Sequence, residues 1–231
     1  MRKIAIIYKK QVKDTGKNIA LLVQFVMFPV MAAIMENAIR LEDIPENFFV
    51  NMFAAMYIGM APLIVTTSVI SEEKEKNTLR VLLFANVSAV EYLCGVGGFI
   101  FSACMGGSLV FGILGGYTGR ELFAFMLIMV SGILVSILFG AAIGIWSKSQ
   151  ISATSVATPA MMVFSFLPML AMFNETIEKV ADLIYSQQIR ILLSDLGKGA
   201  AVRPKSMAMI AVNFVAAAGL FVAAYREKGL D

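Results

Sequence analysis

The sequence has no histidine and only two cysteines, which removes most of the side chains that bind zinc or haem. The missing histidine also excludes the Ser-His and Cys-His nucleophile systems of hydrolases. Cys94 and Cys104 lie in one apolar run, where they are expected to be packing residues and not a disulfide or a metal pair. The sequence therefore predicts no catalytic set and no metal site.

Charge is scarce as well, since 15% of the 231 residues are charged and 59% are hydrophobic, against about 25% charged in soluble domains. A water-soluble fold of this length cannot bury so much apolar surface, so the expected solvent is lipid. The net charge of +3 gives no basic face for a nucleic acid. The predicted partners are membrane lipids and proteins.

Six apolar runs are long enough to cross a bilayer, which needs about 20 residues per helix. None of the runs contains Lys, Arg, Asp or Glu, and they cover residues 19–35, 48–71, 92–116, 122–146, 153–173 and 206–224. The predicted fold class is therefore all-α, a polytopic membrane protein in which residues 1–231 form a single transmembrane domain with six spans.

Short local patterns support these boundaries and suggest how the spans pack. A capping box, with Asp, Ser or Thr three residues before Glu, precedes the second, third and fourth runs, at Asp43/Glu46, Ser88/Glu91 and Thr118/Glu121. Small residues recur every four positions in the third and fourth spans, at Gly98, Ser102 and Gly106 and at Gly132, Ser136, Gly140 and Gly144. Such stripes predict close packing of these spans with each other or with other helices.

The distribution of positive residues predicts that both termini are cytoplasmic. In this orientation twelve of the 19 Lys and Arg residues lie inside and seven outside. Residues 174–205 form the extracytoplasmic segment, although they hold five of the seven opposing charges, because they also carry four acids and a long segment weighs less. Their apolar spacing predicts short helices that lie on the outer leaflet or dip into it.

Residues 1–18 precede the first span and predict an amphipathic interfacial helix. At 100° per residue Ile4, Ile7 and Val12 share one face, and most of the lysines share the other. Two interpretations remain open: an elbow helix that also touches a cytosolic partner, and an interfacial anchor that only sets the topology.

The cytoplasmic segment 72–91, between spans two and three, carries the strongest functional signal. Charged residues at its start are followed by an apolar turn. A solvated loop with a Glu72–Lys76 pair would explain the charges, but it would leave the leucines in water. Docking of a partner on an apolar contact with a charged rim explains both. The predicted contact consists of Leu79, Leu82 and Leu83, and the predicted rim consists of Glu72, Glu73, Glu75 and Arg80. The predicted partner-coupling residues are Glu72, Glu73, Glu75, Thr78, Leu79, Arg80, Leu82 and Leu83.

The stretch Glu73-Lys74-Glu75-Lys76-Asn77-Thr78-Leu79 resembles the E-K/R-E-x-G-T-L signature of the permeases of type-2 ATP-binding-cassette (ABC) export transporters. Asn77 replaces the usual Gly, and Arg80 stands where an acid is common. Asn can adopt the left-handed backbone that Gly would supply. The order of segments, from the basic amphipathic helix to the long outer segment before span six, is similar to that family too.

The resemblance implies a complex of two permeases and two ATPases, with segment 72–91 docked on a cytosolic ABC ATPase subunit and a second permease copy as a homodimer partner. No G-x-x-x-x-G-K-[ST] motif occurs, so ATP and Mg are expected in the partner subunit, with no cofactor bound by this chain. The expected role is a transport subunit and not an enzyme. Its expected location is a bacterial plasma (inner) membrane.

The expected cargo is an amphipathic or hydrophobic molecule, such as a peptide, an antibiotic or a lipid-like compound, moved out of the cell by alternating access. The resemblance also places spans two and five along the substrate path. The candidate lining residues are Met56, Met60, Met161, Met162, Phe164, Phe166 and Met169.

Two other classes fit less well, and one alternative remains open. Ion-coupled transporters keep an ionisable residue at membrane depth, and the six runs have none. An intramembrane enzyme would need histidine or a carboxylate near the bilayer. A non-transporting membrane scaffold or immunity protein that binds a partner through the same loop is the remaining alternative.

Overall fold

The computed structural model describes residues 2–39, 47–84, 86–201 and 203–227, which form α-helices and, within these ranges, no strand. In chain order the helices are α1 (Arg2–Thr15), α2 (Ile19–Ala38), α3 (Phe48–Glu75), α4 (Thr78–Phe84), α5 (Ala89–Leu114), α6 (Gly119–Trp146), α7 (Gln150–Leu170), α8 (Glu175–Ala181), α9 (Tyr185–Gly197) and α10 (Pro204–Glu227). Six of them, α2, α3, α5, α6, α7 and α10, are long and apolar enough to span a membrane. The predicted all-α class and the six spans are confirmed.

Each predicted run overlaps one of these six helices, and the most informative difference lies at the end of α3. The second run was expected to stop at residue 71, but α3 continues to Glu75. The Glu-Lys-Glu stretch therefore forms the last turn of α3. The segment 174–205, predicted to be extracytoplasmic, contains α8 and α9.

Helix α3 is the centre of the molecule. It packs against α2, α5, α6, α7 and α9. In the 18-residue apolar stretch of α3, 78% of the residues are buried. The corresponding share is 22% in α2 and α7 and 17% in α10. A helix that is apolar all round suits such a central position, and the outer helices turn their apolar faces towards lipid or another protein.

The small-residue stripe of span four packs against α3. A Cβ added at Gly140 would lie 2.5 Å from the backbone oxygen of Leu63, and one at Gly144 would lie 2.9 Å from Ile70. The stripe of span three behaves differently, because a Cβ at Gly106 would have nothing within 4 Å. The close approaches of α5 occur instead at Gly95, which meets Ile7, at Gly107, which meets Tyr57, and at Gly112, which meets Leu122.

The predicted capping boxes have three different outcomes. The box at α5 is present, since Ser88 Oγ accepts from Glu91 N at 3.2 Å and the Glu91 carboxylate accepts from Ser88 N at 3.0 Å. The prediction of a box at α6 is wrong, because Thr118 occupies the N-cap position but its side chain makes no capping hydrogen bond. The pattern at Asp43/Glu46 lies outside the described residues.

Helix α9 inserts among the ends of the spanning helices and does not lie flat on the surface. It packs against α3, α6, α7 and α10, and its residues 185–189 are buried. Ser136 Oγ donates to the carbonyl of Ile58 at 2.6 Å, so the Tyr185 hydroxyl, also 2.6 Å away, donates to Ser136. These bonds join α9, α6 and α3.

Candidate functional site

The chain leaves α3 through a tight turn at the residue that replaces the signature glycine. Asn77 has φ +57°, the left-handed conformation predicted for this position. Helix α4 begins at the next residue, Thr78, and a second left-handed residue, Asn86, lies before α5. The turn folds α4 back against the end of α3.

Glu73 points into the protein and joins α3 to two other helices. It is 7% exposed. One carboxylate oxygen, Oε1, accepts hydrogen bonds from the Lys10 ammonium and, at 2.8 Å, from Gln11 Nε2, both on α1. The other, Oε2, accepts from the Tyr92 hydroxyl of α5 at 2.6 Å. Its predicted place in a solvent-facing rim is therefore corrected: Glu73 is an internal anchor.

The next two residues of the signature reach two further helices. Lys74 Nζ donates to the carbonyl of Ser147 at 2.7 Å and to that of Ile145, at the C-terminal end of α6. Glu75 Oε2 accepts from the backbone N–H of Gln150, the first residue of α7, at 2.7 Å. Each charge matches the helix end that it meets, because a cation stabilises a C-terminus and an anion an N-terminus.

Three consecutive side chains thus tie the last turn of α3 to α1, α5, α6 and α7. We call residues 73–75, with these contacts, the anchor turn. Its position explains the alternation of charge in the sequence, because neighbouring residues on a helix point in different directions. Glu72 and Lys76 lie outside this set and form a surface pair, with 2.5 Å between Oε1 and Nζ. This bond raises the pKa of the Lys76 ammonium.

The apolar residues of α4 divide between two faces. Leu79, only 3% exposed, belongs to the buried core, and the partly buried Leu82 packs against it. Val81 and Phe84 lie on the other face and are 64% and 88% exposed. Both pairs have i, i+3 spacing, as expected for two faces of one helix. Leu79 is therefore not an exposed apolar contact as predicted, and the large apolar side chains that α4 exposes are those of Val81 and Phe84.

The other predicted coupling residues are placed as follows. Thr78 is half-buried at the start of α4. Glu72 is half-buried, and Glu75 is exposed. The side chains of Arg80 and Leu83 lie outside the described part of the structure. The prediction omitted Lys10, Gln11, Lys74 and Tyr92, which the structure brings to the anchor turn. The one available signal was Lys74, a lysine between two glutamates at the end of a spanning helix.

A cavity of about 550 Å³ lies beside the anchor turn, between α1, the start of α2 and the end of α3. Its charged lining consists of three lysines and three carboxylates, at Lys10, Lys17, Lys76, Asp14, Glu72 and Glu73. Thr78 reaches the same cavity from the first turn of α4. The first turn of α4 therefore borders a charged recess.

The candidate path residues of spans two and five do not share one environment. Met56 is buried, and the half-buried Phe164 packs on Tyr185 with ring centroids 5.1 Å apart. Met162 and Phe166 are exposed, and Met60, Met161 and Met169 are half-buried. Helices α3 and α7 pack directly on each other, since a Cβ at Gly59 would lie 2.5 Å from the backbone oxygen of Phe164. A path between two protomers would use the exposed residues of this set.

A family model described as "ABC-2 family transporter protein" matches residues 8–225 of the chain. The matched range takes in α2 to α9, most of α1 and α10, and the whole of the anchor turn and α4. No curated protein matches the sequence.

Proposed function

This chain belongs to the ABC-2 family of transporter proteins, and we propose that it is the permease subunit of an exporter driven by a separate cytosolic ATPase. It is a multi-pass membrane protein, and ABC-2 permeases are the transmembrane components of ABC transporters. In the proposed complex, ATP and Mg bind to the ATPase, a second copy of the chain completes the transport path, and both termini face the cytoplasm of a bacterial cell. The proposed cargo is amphipathic or hydrophobic.

One observation carries the proposal: α4 exposes a large apolar side chain on one face while its opposite face packs against the core. Phe84 is 88% exposed and Val81 lies beside it, while Leu79 fixes the opposite face of α4 to the core. An exposed aromatic next to charged groups is typical of a protein contact, where such residues supply much of the binding energy. The charged cavity beside α4 gives that contact a polar border.

The anchor turn supplies a route for movement. A displacement of α4 reaches the end of α3 directly, and the contacts of Glu73, Lys74 and Glu75 carry it to α1, α5, α6 and α7. We propose that ATP binding and hydrolysis on the partner drive these connected helix ends between inward-open and outward-open arrangements of the dimer, which is alternating access by movement of rigid elements.

The test uses substitutions on the exposed face of α4. Phe84→Asp or Val81→Asp places a charge where an apolar contact is proposed, and both sites are exposed, so folding should change little. Truncation of a hot-spot residue costs about 2 kcal/mol or more, which is roughly 30-fold in affinity. We expect both variants to lose copurification with the ATPase and cargo-stimulated ATP hydrolysis in proteoliposomes. Phe84→Leu, which keeps an apolar side chain, should retain most of both.

Two outcomes would count against the proposal. Wild-type ATPase affinity in both aspartate variants would show that α4 is not the docking surface. Normal ATPase binding with no cargo able to stimulate hydrolysis would favour the non-transporting scaffold or immunity protein. Leu79→Asp is unsuitable for this test, since a charge at a buried position would disturb folding itself.

A further inference from the structure

A second cavity lies at the end of α3 that is opposite to the anchor turn. Its volume is about 310 Å³, and its walls come from the first turn of α3, the chain after α7, and α9. The lining residues are Phe48, Asn51, Met52, Met172, Arg190, Ser194, Gly197 and Lys198. Two cations and several apolar side chains line it, and among the residues that the structure describes no carboxylate does.

Arg190 is the unusual member of this lining, because it is a partly buried cation without an ion-pair partner among the described residues. Its Nε donates to Gln187 Oε1 at 3.0 Å, and Gln187 is fully buried. Burial lowers the pKa of the Arg190 guanidinium, and Glu178 and Asp182 oppose this shift from a distance. Arginine remains protonated in proteins, so the charge persists.

Two of the nearby acids are engaged with other cations, and the third, Glu178, is exposed and lies too far from Arg190 to form an ion pair with it. Asp195 binds Arg203, with 2.9 Å between Oδ1 and Nη2, and Asp182 binds Lys205 at 2.8 Å. A partly desolvated charge without a counter-ion is costly, and a bound anion would offset this cost. Among the residues that the structure describes, the guanidinium uses only Nε as a donor, so its terminal N–H groups remain available to a ligand.

We propose that this cavity binds the anionic headgroup of an amphiphile, a phosphate or a carboxylate, with the apolar tail against the methionines. Guanidinium groups bind oxyanions in a two-pronged geometry, and Lys198 adds a second positive charge. Asn51 Oδ1 accepts from the Tyr117 hydroxyl at 3.1 Å, which leaves the Asn51 amide nitrogen as a further donor.

The size and composition of the cavity define the ligand class. Ligand sites commonly have volumes of about 300 to 1,000 Å³, so this one accommodates a headgroup and the first part of a chain. Phe48, Met52 and Met172 provide an apolar wall beside the cations, and the rest of the tail extends beyond the cavity. The same chemistry belongs to an anionic cargo and to an anionic lipid headgroup. Identification of the ligand as a cargo rests on the proposed transport function, whereas the binding of an anionic amphiphile does not.

The experiment measures binding by the chain alone, without an ATPase. Tritiated dodecyl phosphate is titrated onto the protein in phosphatidylcholine nanodiscs, with empty nanodiscs as the blank. We expect saturable binding that dodecyltrimethylammonium and inorganic phosphate displace poorly. Arg190→Gln should weaken it roughly 10- to 100-fold, the loss expected for a hydrogen bond to a charged group. Lys198→Gln should weaken it less, by several-fold.

Arg120→Gln is the matched control, because Arg120 is an exposed arginine at the start of α6, at the same end of the bundle, and does not line the cavity. Its affinity should equal that of the wild type. Wild-type affinity in Arg190→Gln would overturn the proposal. Displacement of the tritiated ligand by dodecyltrimethylammonium as readily as by unlabelled dodecyl phosphate would overturn it too. Displacement by inorganic phosphate as readily as by unlabelled dodecyl phosphate would show that the apolar wall does not contribute to binding. If Arg190→Gln does not fold, Lys198→Gln against Arg120→Gln decides.

A final arm separates the two sources of the ligand. Stimulation of the assembled transporter by dodecyl phosphate would identify the site as a cargo site, and binding without stimulation would identify it as a lipid headgroup site. Phe84→Asp should bind dodecyl phosphate as the wild type does. A failure of the docking proposal and a failure of the anion site are therefore distinguishable.

Discussion

Replacement of Glu73 by alanine tests whether the anchor turn holds the helix ends together. The change removes the acceptor of the bonds from Lys10, Gln11 and Tyr92. Gln11 and Tyr92 are buried and would lose a charged partner, at about 1.5 to 3 kcal/mol for each bond. Lys10 is partly exposed and has Asp14 at 4.0 Å, so its loss is largely offset. We expect Glu73→Ala to lower the free energy of unfolding by about 3 to 5 kcal/mol.

The assay follows thermal unfolding in detergent through the buried thiol of Cys104, which a thiol-reactive dye reaches only when the bundle opens. Cys94 is exposed and is replaced by serine in every variant. A protein of this length loses about 2 to 4 °C in melting temperature per kcal/mol, so the expected decrease for Glu73→Ala is on the order of 10 °C. Glu72→Ala, one residue earlier on the same turn, removes only a surface pair and should cost at most about 0.5 kcal/mol.

Similar melting temperatures for Glu73→Ala and Glu72→Ala would refute this reasoning. A double-mutant cycle gives an independent check, because Glu73→Gln and Tyr92→Phe alter two ends of one hydrogen bond. Residues in such contact show coupling energies of about 0.5 to 3 kcal/mol. A coupling energy near zero would mean that the Tyr92 bond does not stabilise the fold.

Two further predictions concern helix packing and use the same dye assay. Gly140→Ala should destabilise by about 1 to 3 kcal/mol, because the new Cβ meets the backbone of Leu63 and pushes α6 from α3, whereas Gly106→Ala should be neutral or stabilise by up to about 1 kcal/mol; equal effects would contradict the packing. Ser136→Ala should cost more than Tyr185→Phe, since the serine change leaves the Ile58 carbonyl and the Tyr185 hydroxyl without a partner and the tyrosine change leaves the bond to Ile58 intact; the reverse order of melting temperatures would contradict this network.

The spanning helices could be predicted because bilayer thickness fixes the length of an apolar run, whatever the neighbouring helices do. The left-handed turn at Asn77 was also predictable, since few residue types adopt that conformation. The roles of Glu73 and Glu75 were not, because the pattern shows that they point in different directions but not which helix lies in each direction. For α4, the two pairs with i, i+3 spacing can be identified in the sequence, but only the tertiary fold decides that Leu79 and Leu82 face α3.

Arg190 illustrates the same limit from the other end of the bundle. In the sequence it is one of five cations in a segment of mixed charge, where it bears only on the topology. Its significance depends on the insertion of α9. This insertion buries the preceding residues and places Arg190 in the lining of a cavity that also contains Met52 and Met172. A cation directly after five buried residues is a signal only once that burial is known.

The anchor turn also constrains where α3 can bend if a partner moves α4. A bend at the end of α3 would have to break the contacts of Glu73, Lys74 and Glu75 together, at a cost of several kcal/mol. Pro62, within α3, lacks the backbone N–H of a regular helix turn, and such positions are where helices kink. The cheaper motion therefore keeps the last turn of α3, α4 and the attached helix ends as one body and bends α3 near Pro62. A spin-label pair on α4 and the end of α6 should keep its distance through the ATP cycle, while a pair that brackets Pro62 should not.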